Sequence, residues 1–341
     1  VLSLLQMNVS FGYRAAAEEH PANVLLSNSI KAEKLGFEFV VISDHFHPWF
    51  HTDAHSTFAF SWLAALGQAT KQIKFGTGVT PPILRYHPAI VAQAFGTLAS
   101  MYPKRVFLSV GTGEAMNEVP LGFPWPNFNE RLERLREAIQ IIRKLWTEEF
   151  ISYRGKYFTI NDANLYDKPK FVPPIYVAGI GTHSVQLVGE LGDGYMSVPT
   201  TPETYALLFN QLKQACDSSH KNFETMPKMI EVFVGYDHDY DKALQHISRW
   251  KTVLIPGVLN SSIYDPRELE EKAKSVDVSL MTNVQATICT SSEDVVKAAE
   301  KYIKLGFNEI QLHSCSPSED QFLDEFGTKG LPYLMDTYRE K

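Results

Sequence analysis

Short apolar runs alternate with longer stretches of helical periodicity along the 341-residue chain. The apolar runs fall at 9–13, 37–42, 73–77, 106–110, 175–178, 195–198, 229–236 and 309–313. Runs such as FEFVVI lack the apolar–polar alternation of a half-exposed strand, and so read as parallel strands buried on both faces. Amphipathic helical patterns lie between them at 23–35, 89–100, 128–145, 183–191, 203–218, 242–253 and 293–305. Eight strands with helical crossovers in one run favour an α/β fold, a (β/α)8 TIM barrel filling the chain as a single domain, 1–341. Periodicity alone leaves an open doubly wound sheet as the alternative. Two segments break the rhythm. Residues 148–160 carry two β-rich runs around Arg154-Gly155-Lys156 and read as a hairpin. Residues 256–278 include the turn Tyr264-Asp265-Pro266 and a charged helix, an insertion expected to form part of a lid or substrate wall over the C-terminal mouth.

Charge narrows the partners. A net charge of −7 argues against nucleic acid, whose phosphates need a basic surface. No apolar run is long enough to span a membrane. Cys216, Cys289 and Cys315 are too few and scattered for a disulfide framework or a zinc site, which fits a cytoplasmic protein. Residues 1–6 (VLSLLQ) are too short for a signal sequence; Met7 reads as the natural start, with 1–6 an extended or non-native lead.

Candidate chemistry collects at the strand ends, where α/β barrels place their active sites. The second strand runs into Ser43-Asp44-His45-Phe46-His47-Pro48-Trp49, delivering a carboxylate, two imidazoles and an indole. Histidine is the side chain suited to proton transfer near neutral pH. The first strand leads to Glu18, the third to Gly76-Thr77-Gly78-Val79, and the fourth to Gly111-Thr112-Gly113-Glu114-Ala115-Met116-Asn117. Each glycine-rich turn alone is an ordinary βα turn; together they can surround one flat ligand with Glu18, His45, Trp49 and Glu114. The fifth leads through Ala178-Gly179-Ile180-Gly181 into a helix whose N-terminus suits a phosphate, without the spacing of a dinucleotide fingerprint. No metal-ligand spacing and no serine-hydrolase elbow occur, and His45, His47, His51 and His55 lack the pattern of a metal site. Trp62, Trp146 and Trp250 read as core, and Glu130, Arg131, Glu133, Arg134, Arg136 and Glu137 as a solvated helix face laced with ion pairs.

The runs GYRAAAE, SDHFHPW, RYHPAIVAQAF, RVFLSVGTGEAMNE and ELGDGY resemble the coenzyme F420-dependent dehydrogenases of the bacterial-luciferase-like superfamily over nearly the whole chain. The nearest in kind are the glucose-6-phosphate dehydrogenases and secondary alcohol dehydrogenases. The resemblance implies a homodimeric barrel that binds coenzyme F420 across its C-terminal mouth and moves hydride between a carbinol carbon and the deazaflavin. It implies His45 as general base, Glu114 as proton-exchanging acid, and Trp49 and Glu18 beside the substrate. Asp44, Thr112, Gly113 and Asn117 match cofactor-contacting positions; Gly78–Val79 matches a non-proline cis peptide under the ring, and Ala178, Gly179, Ile180 and Gly181 match the cofactor phosphate turn.

One departure bears on substrate. The three basic residues that hold phosphate in the glucose-6-phosphate enzymes align with Thr201, in the loop after Val198, with Asn260 and with Ala286. Losing three charge-assisted contacts, each worth roughly 1.5–3 kcal/mol, removes most of a phosphate site unless Arg249 or Lys251 compensates. The expected substrate is therefore a small or uncharged alcohol. A glucose-6-phosphate dehydrogenase with a non-standard phosphate site is the alternative; an FMN-dependent monooxygenase and a non-catalytic ligand-binding barrel stand behind it.

Overall fold

The computed structural model describes residues 8–339, so the expectation for the first six residues lies outside the described residues. Eleven strands occur among these: β1 Ser10–Ala15, β2 Phe39–Ile42, β3 Lys74–Thr77, β4 Val106–Val110, β5 Ile151–Arg154, β6 Thr159–Ala163, β7 Ile175–Ala178, β8 Gly194–Ser197, β9 Lys228–Tyr236, β10 Ala286–Cys289 and β11 Glu309–Ser314. Strands β11, β1, β2, β3, β4, β7 and β8 pair in parallel in that order, and β9 joins β8 to β11. That last pairing closes the ring, so the (β/α)8 barrel holds over the open sheet. All eight barrel strands coincide with the apolar runs of the sequence.

The barrel is filled rather than hollow. Phe39, Val41, Phe107, Tyr176, Met196 and Met229 form its interior cluster. Rings this large fit because glycines face them: a Cβ on Gly12 would collide with the Phe39 ring, and one on Gly76 with Phe107. The outer core is made by helices whose apolar stripes meet the strands, such as Leu135, Ala138, Ile139 and Ile142 of Phe128–Thr147. Asn127 starts that helix by accepting the Glu130 N–H at 3.1 Å.

The 148–160 hairpin forms as β5 and β6, paired antiparallel. The 256–278 insertion becomes a 3-10 turn, Val258–Asn260, and a short helix, Pro266–Ala273. Several elements were not legible in the pattern, among them the C-terminal helices Asp320–Glu325 and Leu331–Tyr338. Helix Ala59–Ala69 (AFSWLAALGQA) is apolar nearly all round and its N-cap, Phe58, offers no capping side chain. Strand β10 is four residues long and pairs only with β9, whose upper half, 233–236, runs beyond its pairing with β8. No helix among the described residues is long and apolar enough to cross a membrane.

Candidate active site

The C-terminal ends of the strands surround a cleft of about 390 Å³. A second cavity of about 410 Å³ lies at the opposite mouth, among Glu38, Lys74, Tyr176 and Glu309. Size does not choose between them; the strand-end histidine and carboxylates are in the first.

His45 leaves the end of β2 with its side chain only 10% exposed. Its Nε2 stands 3.5 Å from Glu18 Oε1, and Glu18 is held from behind by the Ser43 hydroxyl, which donates to Oε2 at 2.5 Å. The other ring nitrogen, Nδ1, lies 3.2 Å from the His47 carbonyl and 3.4 Å from Asn117 Nδ2. Asn117 in turn accepts the Phe46 N–H at 2.8 Å and donates to Glu114 Oε2 at 3.1 Å. One fully buried amide therefore ties the histidine loop to Glu114. The Trp49 ring lies 6.0 Å from the imidazole, centroid to centroid. Glu18, His45, Trp49 and Glu114 all line the cleft, brought together from three strand ends.

Across the floor lie Gly78, Val79, Thr112, Gly113, Ala178, Gly179, Ile180 and Met196. The Gly78–Val79 peptide is cis, and Arg14 donates to the Gly78 carbonyl at 2.9 Å. No side chain larger than hydrogen fits at Gly78, where a Cβ would meet Val41 and Arg14. Helix Thr182–Leu191 points its N-terminus at this end with no acidic residue in its first turn, and Ser184 lines the cleft there.

Other expected residues stand back from the cleft. Asp44 is 2% exposed, taking hydrogen bonds from Thr80 at 2.8 Å, Tyr86 at 3.0 Å and Arg85 at 3.1 Å. It braces the histidine loop from beneath, and Asn117 likewise works from behind. Gly181 forms the N-cap of its helix, and Thr201 caps Pro202–Ser218 by accepting the Thr204 N–H at 3.3 Å. Val198 and Asn260 do line the cleft. Arg249 bonds the Thr52 and Asp53 carbonyls and Lys251 the Val276 carbonyl, so neither reaches in to replace the missing basic residues.

Arg131 corrects the sequence reading. It is 1% exposed and lines the cleft rather than joining the solvated helix face. Its guanidinium stacks 4.2 Å from the Trp125 ring centroid and donates to Pro126 O at 2.8 Å and Asn260 Oδ1 at 2.9 Å. Burial lowers its pKa, opposed by the Glu114 carboxylate nearby. The signal was present: Arg131 lies four residues before Leu135, on the buried stripe of its own helix. Arg134, Arg136, Glu130 and Glu133 do make the outer ion pairs expected.

Sequence reasoning also missed the wall built by β9 and β11. Glu231, Phe233, Trp250 and Gln311 line the cleft. Glu231 Oε1 meets Arg14 Nε at 3.3 Å and His313 Nδ1 at 2.8 Å; His313 Nε2 meets Glu19 Oε2 at 3.1 Å. Glu19 Oε1 takes the Trp250 indole N–H at 2.6 Å, so Trp250 is both core and cleft wall. Burial works against a charged His313, yet Cys315 and Glu19 hold its pKa well above the ordinary value. Among the described residues, Glu19, His313 and Cys315 are the one cluster close enough to hold a metal ion, and two of the three already spend their polar atoms on each other, Glu231 and Trp250.

The family model described as luciferase-like monooxygenase matches residues 16–309. The F420-dependent glucose-6-phosphate dehydrogenase of Intrasporangium calvum is 38% identical over 330 residues, covering 95% of this chain and 98% of the relative. That of Microbacterium testaceum is 37% identical over 326 residues, with 95% and 97% covered. Among solved structures, an F420-dependent secondary alcohol dehydrogenase in complex with an F420–acetone adduct superposes with a TM-score of 0.92 at 35% identity, over 98% of this chain and 100% of that one. Monooxygenases share the fold at much lower identity, as in a long-chain alkane monooxygenase at 12% and a TM-score of 0.73 over 96% of this chain and 91% of that one.

Proposed function

The chain belongs to the luciferase-like family and is an F420-dependent oxidoreductase acting on CH–OH donors, and we propose that its substrate is an uncharged alcohol deprotonated by His45. The cleft fits the coenzyme: a flat apolar floor at Val79, Ala178 and Met196 ends at a helix N-terminus free of acid, which suits a ring with an anionic tail. Bound there, F420 supplies a two-electron hydride acceptor. Every other task falls to the chain. His45 Nε2 takes the hydroxyl proton, its ring aimed by an Nδ1–H that donates to the His47 carbonyl and so leaves Nε2 free to accept. Glu18, fixed by Ser43, faces the same nitrogen and stabilises the imidazolium as it forms. Glu114 holds or gives up a proton on the cofactor side, and Trp49 covers the reacting carbon from water. Gly78, Val79, Thr112 and Gly113 would support the ring, and Ala178, Gly179 and Ile180 with Ser184 would take the phosphate.

The observation that carries the choice of substrate is charge. Three carboxylates, Glu18, Glu114 and Glu231, line the cleft against two guanidiniums, Arg14 and Arg131. Arg14 is paired with Glu231, and Arg131 is spent on Pro126 and Asn260. A phosphate dianion entering there meets one carboxylate more than guanidiniums, and the one guanidinium without an ion pair among the described residues of the cleft, Arg131, is already hydrogen-bonded to Pro126, Leu259 and Asn260. The second reading, glucose 6-phosphate oxidation, draws support from the relatives' activity. A homodimer working in the cytosol, where three buried free thiols stay reduced, completes the proposal.

The test is to add F420 to the purified protein and follow loss of the deazaflavin band with uncharged alcohols and with glucose 6-phosphate. Uncharged alcohols are expected to turn over, and His45→Ala to cut turnover by about 10²–10⁴ with F420 still bound. Wild-type turnover by that variant, with hydride transfer rate-limiting, would remove His45 from its role. Preferred use of glucose 6-phosphate, weakened steeply by salt, would install the second reading.

A further inference from the structure

The wall facing His45 carries a carboxylate that the proposed chemistry leaves idle. Glu231 Oε1 is occupied by Arg14 at 3.3 Å and His313 at 2.8 Å. Its Oε2 takes no hydrogen bond from any described residue and is not sealed off from the cleft. Glu114 repeats the pattern: Asn117 occupies Oε2 at 3.1 Å, and Oε1 is open. Ionised carboxylates only accept hydrogen bonds, so two fixed acceptors face the ligand. Although burial raises the Glu231 pKa, Arg14 and His313 outweigh it and keep the group ionised. Beside these acceptors stand flat aromatic faces, Trp49, Phe233 and Trp250, the last two 5.5 Å apart and edge to face.

Acceptors at the edge and apolar planes at the side suit a ligand whose rim is hydroxyl and whose faces are C–H. We infer that the substrate is an uncharged polyhydroxylated alcohol, a sugar or sugar alcohol, with Glu231 as a specificity-determining residue that accepts a hydroxyl away from the reacting carbon. This rests on the F420 oxidoreductase reading above. A monofunctional alcohol leaves Glu231 desolvated without a donor. A phosphorylated sugar sets an anion among three carboxylates. A site built to bond a hydroxyl rejects the analogue that lacks it far more strongly than an apolar pocket rejects a missing methylene.

The experiment has two arms. In the first, without cofactor, tryptophan fluorescence of the full chain is titrated with D-glucose, D-mannitol, glycerol, glucose 6-phosphate and 2-propanol. At least one of the three uncharged polyols is expected to bind at least ~10-fold tighter than both 2-propanol and glucose 6-phosphate, the effect of one charge-assisted hydrogen bond. In the second arm the same compounds are offered with F420, and the same order is expected in kcat/KM. Failure of F420 to bind overturns the oxidoreductase reading and leaves the first arm to judge the sugar. If 2-propanol or glucose 6-phosphate binds as tightly as the best polyol, the inference is wrong. Glu231→Asp keeps the charge that Arg14 and His313 need while drawing the free oxygen back by one methylene. It is expected to raise the polyol Kd about 10-fold with little change in melting temperature; an unchanged Kd would show that Glu231 is only structural.

Discussion

Glu319 shows what burial does to a carboxyl that nothing fully compensates. It is 2% exposed, accepts from Asn28 Nδ2 at 2.8 Å and from the Tyr13 hydroxyl, and its Oε1 has no partner among the described residues. Burial pushes its pKa from the ordinary 4.5 up to about 8. Because the folded-state value is raised, its contribution to stability is complete below about pH 4.5 and is lost as the pH rises through about 8. Glu319→Gln cannot ionise. Denaturant melts of the two proteins from about pH 5 to about pH 8.5 are therefore expected to show the variant gaining stability relative to wild type as pH rises. A constant difference across that range would mean that Glu319 titrates normally. At this scale the sequence was legible where a polar residue at a strand end enters the cleft, as at His45 and Glu114. It was illegible where a polar residue faces inward through packing, as at Arg131, Glu19 and His313, because pairing partners up to 294 residues apart leave no local pattern.

Among the elements, helix Pro202–Ser218 bears on the phosphate question. Thr201 is its N-cap, not a wall of the cleft. Thr201→Ala is expected to cost about 1 kcal/mol, lowering the melting temperature by about 1–2 °C without altering binding of any sugar. A change in sugar affinity at unchanged stability would return Thr201 to the binding site. Asn260 is tied down as well: its Oδ1 accepts from Arg131 at 2.9 Å, so a lysine there would set a cation against a buried cation. Strands and most helices were readable because burial on both faces, or on one stripe, writes itself into the period of apolar residues. Ala59–Ala69 has no polar face to give contrast, and β10 is too short to carry a period.

For the whole molecule, the period could not separate a closed barrel from an open sheet, since both bury their strands equally; only the β8–β9 pairing decides. The same blindness covers assembly. Phe58 and Ile90 are more than half exposed at neighbouring helix starts, flanked by Phe60 and Tyr86, an apolar patch suited to a second copy. Sedimentation equilibrium is expected to give twice the 38.5 kDa chain mass, and Ile90→Glu to shift it towards the monomer. A monomer at micromolar concentration would rule the dimer out.

Strand β9 divides its labour along its length. Residues 228–230 close the ring against β8, while 233–236 hold β10. The segment between β9 and β10, with Trp250 and Asn260, therefore hangs from the last two residues of the strand, 235–236, which lie beyond its pairing with both β8 and β11. Such a segment can be exchanged as a cassette: a graft that keeps the Trp250–Glu19 and Asn260–Arg131 fastenings would present new surface to the ligand while the barrel beneath goes on folding around the same staves.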